Sequence, residues 1–182
     1  RGPVLLELHK FEEEAARAVS RARGIVTITS PLREIIRERF APSAPIEVIP
    51  DAVDLARFRT PSSDGPARLV YAGQFHDWKG VDVLIAGLAR LSGMRALILG
   101  GRGDAREGDL RGLARSLGVQ DRVEWGGFVP QEEVARRLRR GDVGVVPTRA
   151  RNGQEIAASP LKLFEYMAAG IPVIASDLPS IR

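Results

Sequence analysis

Lys162 and Glu165 stand three residues apart in the stretch SPLKLFEYMAAGIPVIASD, Ser159 to Asp177. The stretch reads as a helix followed by a strand. Ser159 is a good N-cap, and Pro160 suits the first helical position, where a backbone N–H has no partner anyway. Leu161, Phe164 and Met167 or Ala168 recur at helical spacing as one apolar stripe. Gly170 can take the left-handed conformation that ends a helix, Pro172 forbids continuation, and Val173, Ile174 and Ala175 read as a short buried strand. None of this accounts for the charges. A lysine in the first turn opposes the helix dipole, and Glu165 lies beside the apolar stripe. A phosphate at the helix N-terminus would accept backbone N–H bonds while Lys162 offset its charge. A carboxylate one turn further in can accept from two vicinal hydroxyls, at about the distance of a ribose from its diphosphate. The competing reading is an exposed i,i+3 ion pair that stabilises the helix by a few tenths of a kcal/mol.

Other loops carry residues of matching chemistry. In GQFHDWKG, Gly73 to Gly80, Gly73 permits a tight turn and Lys79 precedes a helix beginning near Val81, a placement that suits a phosphate. The alternative is a solvent-facing lysine, and Trp78 reads as a packing residue. GGRGD, Gly100 to Asp104, lets backbone approach a ligand, with Gly101 inside it, and reads as a flexible turn near a phosphate. The dinucleotide fingerprint fails there, because Arg106 stands where its third glycine is needed. GGFVP, Gly126 to Pro130, could present backbone groups to the edge of a base or be a plain turn. His9 ends the run VLLELHK; His76 lies in the lysine loop.

These residues need elements to position them. Apolar runs at Val4–Leu8, Ile25–Thr29, Ile46–Ile49, Arg68–Ala72, Arg95–Leu99, Val123–Trp125, Val143–Val146 and Val173–Ala175 read as strands. Helical patterns fall near Glu12–Arg23, Pro31–Arg39, Val81–Leu91, Asp109–Leu117, Glu132–Arg140 and Pro160–Ala169. Strands alternating with amphipathic helices predict an α/β chain with parallel, doubly wound sheets. Ligands then sit at the carboxyl ends of the strands, where the loops above lie. Thr60–Pro66, TPSSDGP, carries no apolar periodicity and reads as a linker.

The 182 residues suffice for one large or two small domains. With 44% hydrophobic and 27% charged residues the composition is that of a globular protein. Zero cysteines exclude disulfides and thiolate metal sites, and two histidines leave little for a zinc site. No apolar run approaches the roughly 18 residues that a membrane span needs. There is no secretory signal pattern at the start, so a cytoplasmic location is expected. The chain starts at Arg1 and stops at Arg182 just after a strand, as a fragment would. The net charge of +4 comes with only three lysines among 27 basic residues, a bias that fits a solvated surface or an anionic partner. No RNA-binding aromatic motif or zinc finger points to nucleic acid.

Taken together in order, the motifs resemble the retaining, GT-B-fold glycosyltransferases of family 4, the glycosyltransferase group 1 family. GPVLLELH resembles the N-domain strand ending in the family's active-site histidine, and IVTITSPLREII the strand and helix after it. IEVIPDAVDLARF is similar to the passage into the C-domain, and LVYAGQFHDWKGVDVLI to the first C-domain strand with its lysine loop. VEWGGFVPQEEV and SPLKLFEYMAAGIPVIASDLPSIR match the base-side and glutamate motifs. The resemblance implies a partial N-terminal Rossmann-like domain over 1–59, a linker over 60–66 and a nearly complete nucleotide-sugar-binding domain over 67–182. It implies a nucleotide diphospho-sugar donor, no further cofactor and no metal; the chain also has no Asp-x-Asp triplet. It implies His9 against the transferred sugar, Lys79 on the diphosphate and Glu165 on the ribose, the catalytic set. Gly73, Gln74, Gly101, Glu155, Ser159, Pro160, Leu161 and Lys162 join the donor side, and backbone near Phe128 and Val129 meets the base. Two positions depart from the family: Gln74 stands for an arginine, and Ala157 for the first of two glutamates, with Glu155 two residues before it. The acceptor is open: a glycan, a lipid-linked molecule or a small molecule, with peripheral contact at the inner membrane face suited to the basic surface. A non-catalytic module of this fold and an NAD-dependent oxidoreductase are the other readings.

Overall fold

The computed structural model describes residues 5–8, 15–58, 65–150 and 159–182. The chain divides into two compact units, Arg1–Ala52 with Ala150–Pro160 and Asp177–Arg182, and Val53–Arg149 with Leu161–Ser176.

The first unit contains strands β1 (Leu5–Leu8), β2 (Gly24–Thr27) and β3 (Ile46–Val48) and helices α1 (Ala16–Val19) and α2 (Ser30–Phe40). The strands form a parallel sheet in the order β1-β2-β3, with Leu6 opposite Ile25 and Ile25 opposite Ile46. Its core is Val19, Ile25, Ile28, Leu32, Ile36 and Ile46. β2 stops at Thr27, short of the Thr29 expected from the apolar run, because Thr29 caps α2: its Oγ1 accepts from the Leu32 N–H at 3.3 Å. Pro31 in the first turn reinforces that start.

The second unit carries β4 (Arg68–Ala72), α3 (Val81–Ala89), β5 (Arg95–Leu99), α4 (Ala105–Ser116), β6 (Val123–Gly127), α5 (Gln131–Arg137), β7 (Val143–Val146), α6 (Leu161–Ala168) and β8 (Val173–Ala175). All five strands are parallel, in the order β6-β5-β4-β7-β8. Every residue of the central β4 is buried, as a parallel strand covered on both faces should be. Leu84, Ile85 and Leu88 of α3 and Leu110 and Ala114 of α4 pack with Leu69, Tyr71 and Ile98.

Two helices differ from their sequence reading for electrostatic reasons. α4 starts at Ala105 instead of Asp109, because Asp104 Oδ1 accepts from the Glu107 N–H at 3.0 Å and caps the helix earlier. α5 ends at Arg137 instead of Arg140, with Leu138 extended. Beyond it Asp142, fully buried, accepts from the Arg139 N–H at 2.7 Å and pairs with Arg68. Arg68 Nε lies 2.8 Å from Asp142 Oδ1, and Arg68 Nη2 donates to Asp142 Oδ2 at 3.3 Å and to the Arg137 carbonyl.

β8 is an edge strand and is not buried as expected: Ile174 is 57% exposed. The expected apolar stripe of α6 is also displaced. Leu161 and Met167 are exposed, whereas Glu165, Tyr166 and Ala169 are buried. The cause is Gly144 on β7, where a Cβ would fall 2.4 Å from the Tyr166 ring. The ring takes the space a side chain at 144 would fill and so sets the rotation of the helix. Gly170 takes φ +70° and ends the helix as expected.

Candidate functional site

The loops at the carboxyl ends of the second unit's strands are laced to one another. Gly73, after β4, donates its N–H to the Leu99 carbonyl at 2.9 Å, and Gly100, after β5, donates to the Gly127 carbonyl at 2.7 Å. Arg149, after β7, donates its N–H to the Trp78 carbonyl at 2.8 Å. Gly80 has φ +71°, and a Cβ there would sit 1.9 Å from the Pro147 carbonyl oxygen. Gly80→Ala is therefore expected to destabilise the chain by about 1–3 kcal/mol and to displace Lys79, read as an earlier urea midpoint and weaker ligand binding.

Lys79 ends a single turn, Asp77–Lys79, just ahead of α3. Its ammonium lies 4.0 Å from the centre of the Trp78 ring, which runs parallel to His76 at 6.3 Å. Trp78 is thus a packing partner for the lysine, as the sequence reading had it. Arg106 holds the same turn: Nε donates to the Phe75 carbonyl at 3.3 Å and Nη2 pairs with Asp77 at 3.0 Å. Arg149 pairs with Asp82 at 2.5 Å in the first turn of α3. No carboxylate among the described residues pairs with Lys79. Burial, and then the charge of Lys162, hold its proton affinity below the ordinary lysine value. Lys162 is thus close enough for its charge to act on Lys79.

Glu165 is 1% exposed. Lys162 Nζ lies 2.5 Å from its Oε2, and Gln131 Nε2 donates to its Oε1 at 2.6 Å. The Lys162–Glu165 pair is real, but the carboxylate is buried and not on an exposed face. Gln131, the first residue of α5, is a site residue that sequence reasoning missed. Only its place inside the base-side motif VEWGGFVPQEEV, directly after Pro130, hinted at a role.

The loop Gly100–Asp104 is pinned, which corrects its reading as a flexible turn. Glu107 Oε2 accepts from the Gly103 N–H at 2.9 Å, and its Oε1 accepts from Arg111 Nη2 at 2.8 Å. The Arg111 hydrogen bond, with that from Gly103, holds the Glu107 carboxyl below its ordinary range. Gly101 is half-buried in this loop. On the base side Phe128 is 64% exposed, with the Arg102 guanidinium 4.9 Å from its ring centre, and Val129 is half-buried. Gln74 is exposed, and its carbonyl accepts from the Tyr71 hydroxyl at 2.6 Å. Ser159 and Pro160 are half-buried and Leu161 is exposed. His9, Glu155 and Ala157 lie outside the described residues. Among the described residues no three potential metal ligands gather.

Residues 66–182 match the family of glycosyl transferases group 1. Over 89% of the chain, the sequence is 32% identical to the GDP-mannose-dependent alpha-(1-6)-phosphatidylinositol monomannoside mannosyltransferase of Mycobacterium tuberculosis, of which it covers 47%. It is 30% identical to the lipopolysaccharide 1,6-galactosyltransferase of Salmonella typhimurium, over 91% of the chain and 46% of that enzyme. The chain thus spans about half the length of the curated relatives it matches. Among solved structures, sucrose-phosphate synthase from Thermosynechococcus elongatus superposes with TM-score 0.81 at 20% identity, covering 98% of this chain and 51% of that one. A lipopolysaccharide outer core galactosyltransferase superposes with TM-score 0.68 at 27% identity, covering 92% and 46%. With parallel α/β sheets of GT-B architecture and a family match across the whole second sheet, the chain belongs to the group 1 glycosyltransferases.

Proposed function

We propose that the protein carrying this chain transfers a sugar from a nucleotide diphospho-sugar to an acceptor, and that the second unit binds the donor. The observation that carries this reading is the buried Glu165 carboxylate held by Lys162, with the half-buried Lys79 near enough to feel the Lys162 charge and with no carboxylate partner among the described residues. Departure of a nucleoside diphosphate leaves negative charge on phosphate oxygens, and fixed ammonium groups at that spot stabilise it. That chemistry needs no metal. Lys162 would be shared between Glu165 and the diphosphate, Lys79 would sit on the diphosphate, and Glu165 would accept the ribose hydroxyls. Gln74 would add a hydrogen bond without charge, and backbone at Phe128 and Val129 would face the base. Residues 1–59 are assigned to the acceptor side and 67–182 to the donor side, with 60–66 between them. Retention of anomeric configuration is proposed on family membership alone. The relatives' names differ in the sugar moved, so donor sugar and base are left to experiment.

The test is a titration of the full-length protein with UDP, GDP, UDP-glucose, GDP-mannose and NAD, followed by assay for sugar turnover. One nucleotide diphosphate and its sugar should bind, and NAD should not. The expected pH dependence follows from Lys79. Its lowered proton affinity means that the free site loses that proton below the ordinary lysine value of about 10.4. A bound diphosphate keeps it on, so binding takes up a proton and weakens as pH rises through that window. Saturable NAD binding without any nucleoside diphosphate binding would instead support an oxidoreductase. Donor binding without turnover would support a non-catalytic module, a reading favoured by Gln74 and Ala157.

A further inference from the structure

We infer that Gln131 is a positioning residue that holds the Glu165 carboxylate in the orientation a ribose diol requires, and that it couples the base-side loop to the ribose side of the site. The inference rests on the proposed role of Glu165. Among the described residues Glu165 has one side-chain donor on each oxygen, Lys162 on Oε2 and Gln131 on Oε1. The two donors differ in kind. Lys162 comes from the preceding turn of the same helix, is charged, and lies close enough to Lys79 to depress its proton affinity. An arriving diphosphate draws on that ammonium. Gln131 comes from another element, is neutral, and has no such competing attraction.

Gln131 is therefore the partner that stays with the carboxylate when Lys162 is shared. A carboxylate offers about four acceptor positions. Two are occupied, which leaves one on each oxygen for two neighbouring hydroxyls. A neutral amide at Oε1 fixes the rotation of the carboxylate without cancelling the charge that makes those two bonds strong. The backbone supports this. Pro130, extended at φ −60° and ψ 156°, immediately precedes Gln131 and follows Phe128 and Val129. A shift of that loop on meeting a base would move Gln131, and with it Glu165.

The experiment uses the full-length protein and whichever of UDP or GDP binds, together with its 2′,3′-dideoxy counterpart, against wild type, Gln131→Ala and Gln131→Glu. In wild type, loss of both hydroxyls should weaken binding about tenfold or more, as hydrogen bonds to a charged acceptor imply. In Gln131→Ala that ratio should fall below about threefold, with dideoxy binding unchanged and the chain still folded at the assay temperature, although its thermal midpoint drops as a buried carboxylate loses one donor. Simple structural damage would weaken both ligands equally. In Gln131→Glu two carboxylates face each other, so the ratio should collapse at neutral pH and recover in acid, where the pair shares a proton and can donate again. A wild-type ratio retained in Gln131→Ala, or a Gln131→Glu ratio indifferent to pH, would overturn the inference and leave the Glu165 assignment standing. Equal binding of the two ligands by wild type would remove the Glu165 assignment, and this inference with it.

Discussion

Glu165→Gln is expected to lower the affinity for a nucleoside diphosphate by at least about tenfold while the chain still folds. The variant keeps the shape of a residue that is 1% exposed and so opens no cavity. It removes the charge. Hydrogen bonds to a charged acceptor are worth about 1.5–3 kcal/mol against about 1 kcal/mol for neutral ones, and 1.4 kcal/mol is a factor of ten in binding. Two ribose hydroxyls on the carboxylate would therefore lose more than tenfold together. The new amide N–H must face one of the two former donors, Lys162 or Gln131, and Lys162, partly exposed, can turn to water or to the diphosphate. Isothermal calorimetry gives the affinity and circular dichroism the fold. Unchanged affinity in a folded variant would remove Glu165 from the ligand. Glu165→Ala is the blunter probe, since it leaves a void beside Tyr166.

Asp142→Ala should be the most damaging single substitution for stability, costing about 3–5 kcal/mol of a total that for most domains is only about 5–15 kcal/mol. The Arg68 side chain is 8% exposed and Asp142 is fully buried. Truncation leaves the guanidinium in the interior with only the Arg137 carbonyl and the exposed Glu124 carboxylate, 3.5 Å away, and leaves the Arg139 N–H without its 2.7 Å acceptor. Replacing both partners, Arg68→Met with Asp142→Leu, should cost far less, because a buried pair exchanged for apolar groups often breaks even. Urea unfolding measures both. Ligand affinity per folded molecule should be the same in both variants as in wild type, which sets this pair apart from Glu165.

The strands were legible because a parallel strand covered on both faces is a short apolar run ended by a glycine, and Arg68–Ala72 and Arg95–Leu99 have that form. Lys79, Lys162 and Glu165 drew notice because the carboxyl-end rule directs attention to those loops, and Lys162 and Glu165 each opposed their local setting. Pairings distant in sequence were not legible. Gln131 and Glu165 are 34 residues apart, and Arg68 and Asp142 are 74 apart; no periodicity links them. The buried face of α6 was misread because Leu161, Phe164 and Met167 outweigh Tyr166 in any hydrophobic count. Gly144, on another element, makes room for the tyrosine ring. β8 was read as buried because an apolar triplet looks the same at the centre of a sheet and at its edge.

β4 begins at Arg68 and runs directly into Gly73 and the lysine loop, so some 16 Å of one strand lies between the residue that anchors the sheet and those proposed to meet a ligand. Adaptation of donor choice and maintenance of foldability thus draw on different ends of the same strand. A library that randomises residues 74, 76–78, 102 and 128–129, and leaves the buried Phe75 alone, should retain a high fraction of soluble clones, whereas one that touches 68, 142 or 144 should not. Lineages of this architecture can drift in recognition without first acquiring compensating stabilising changes.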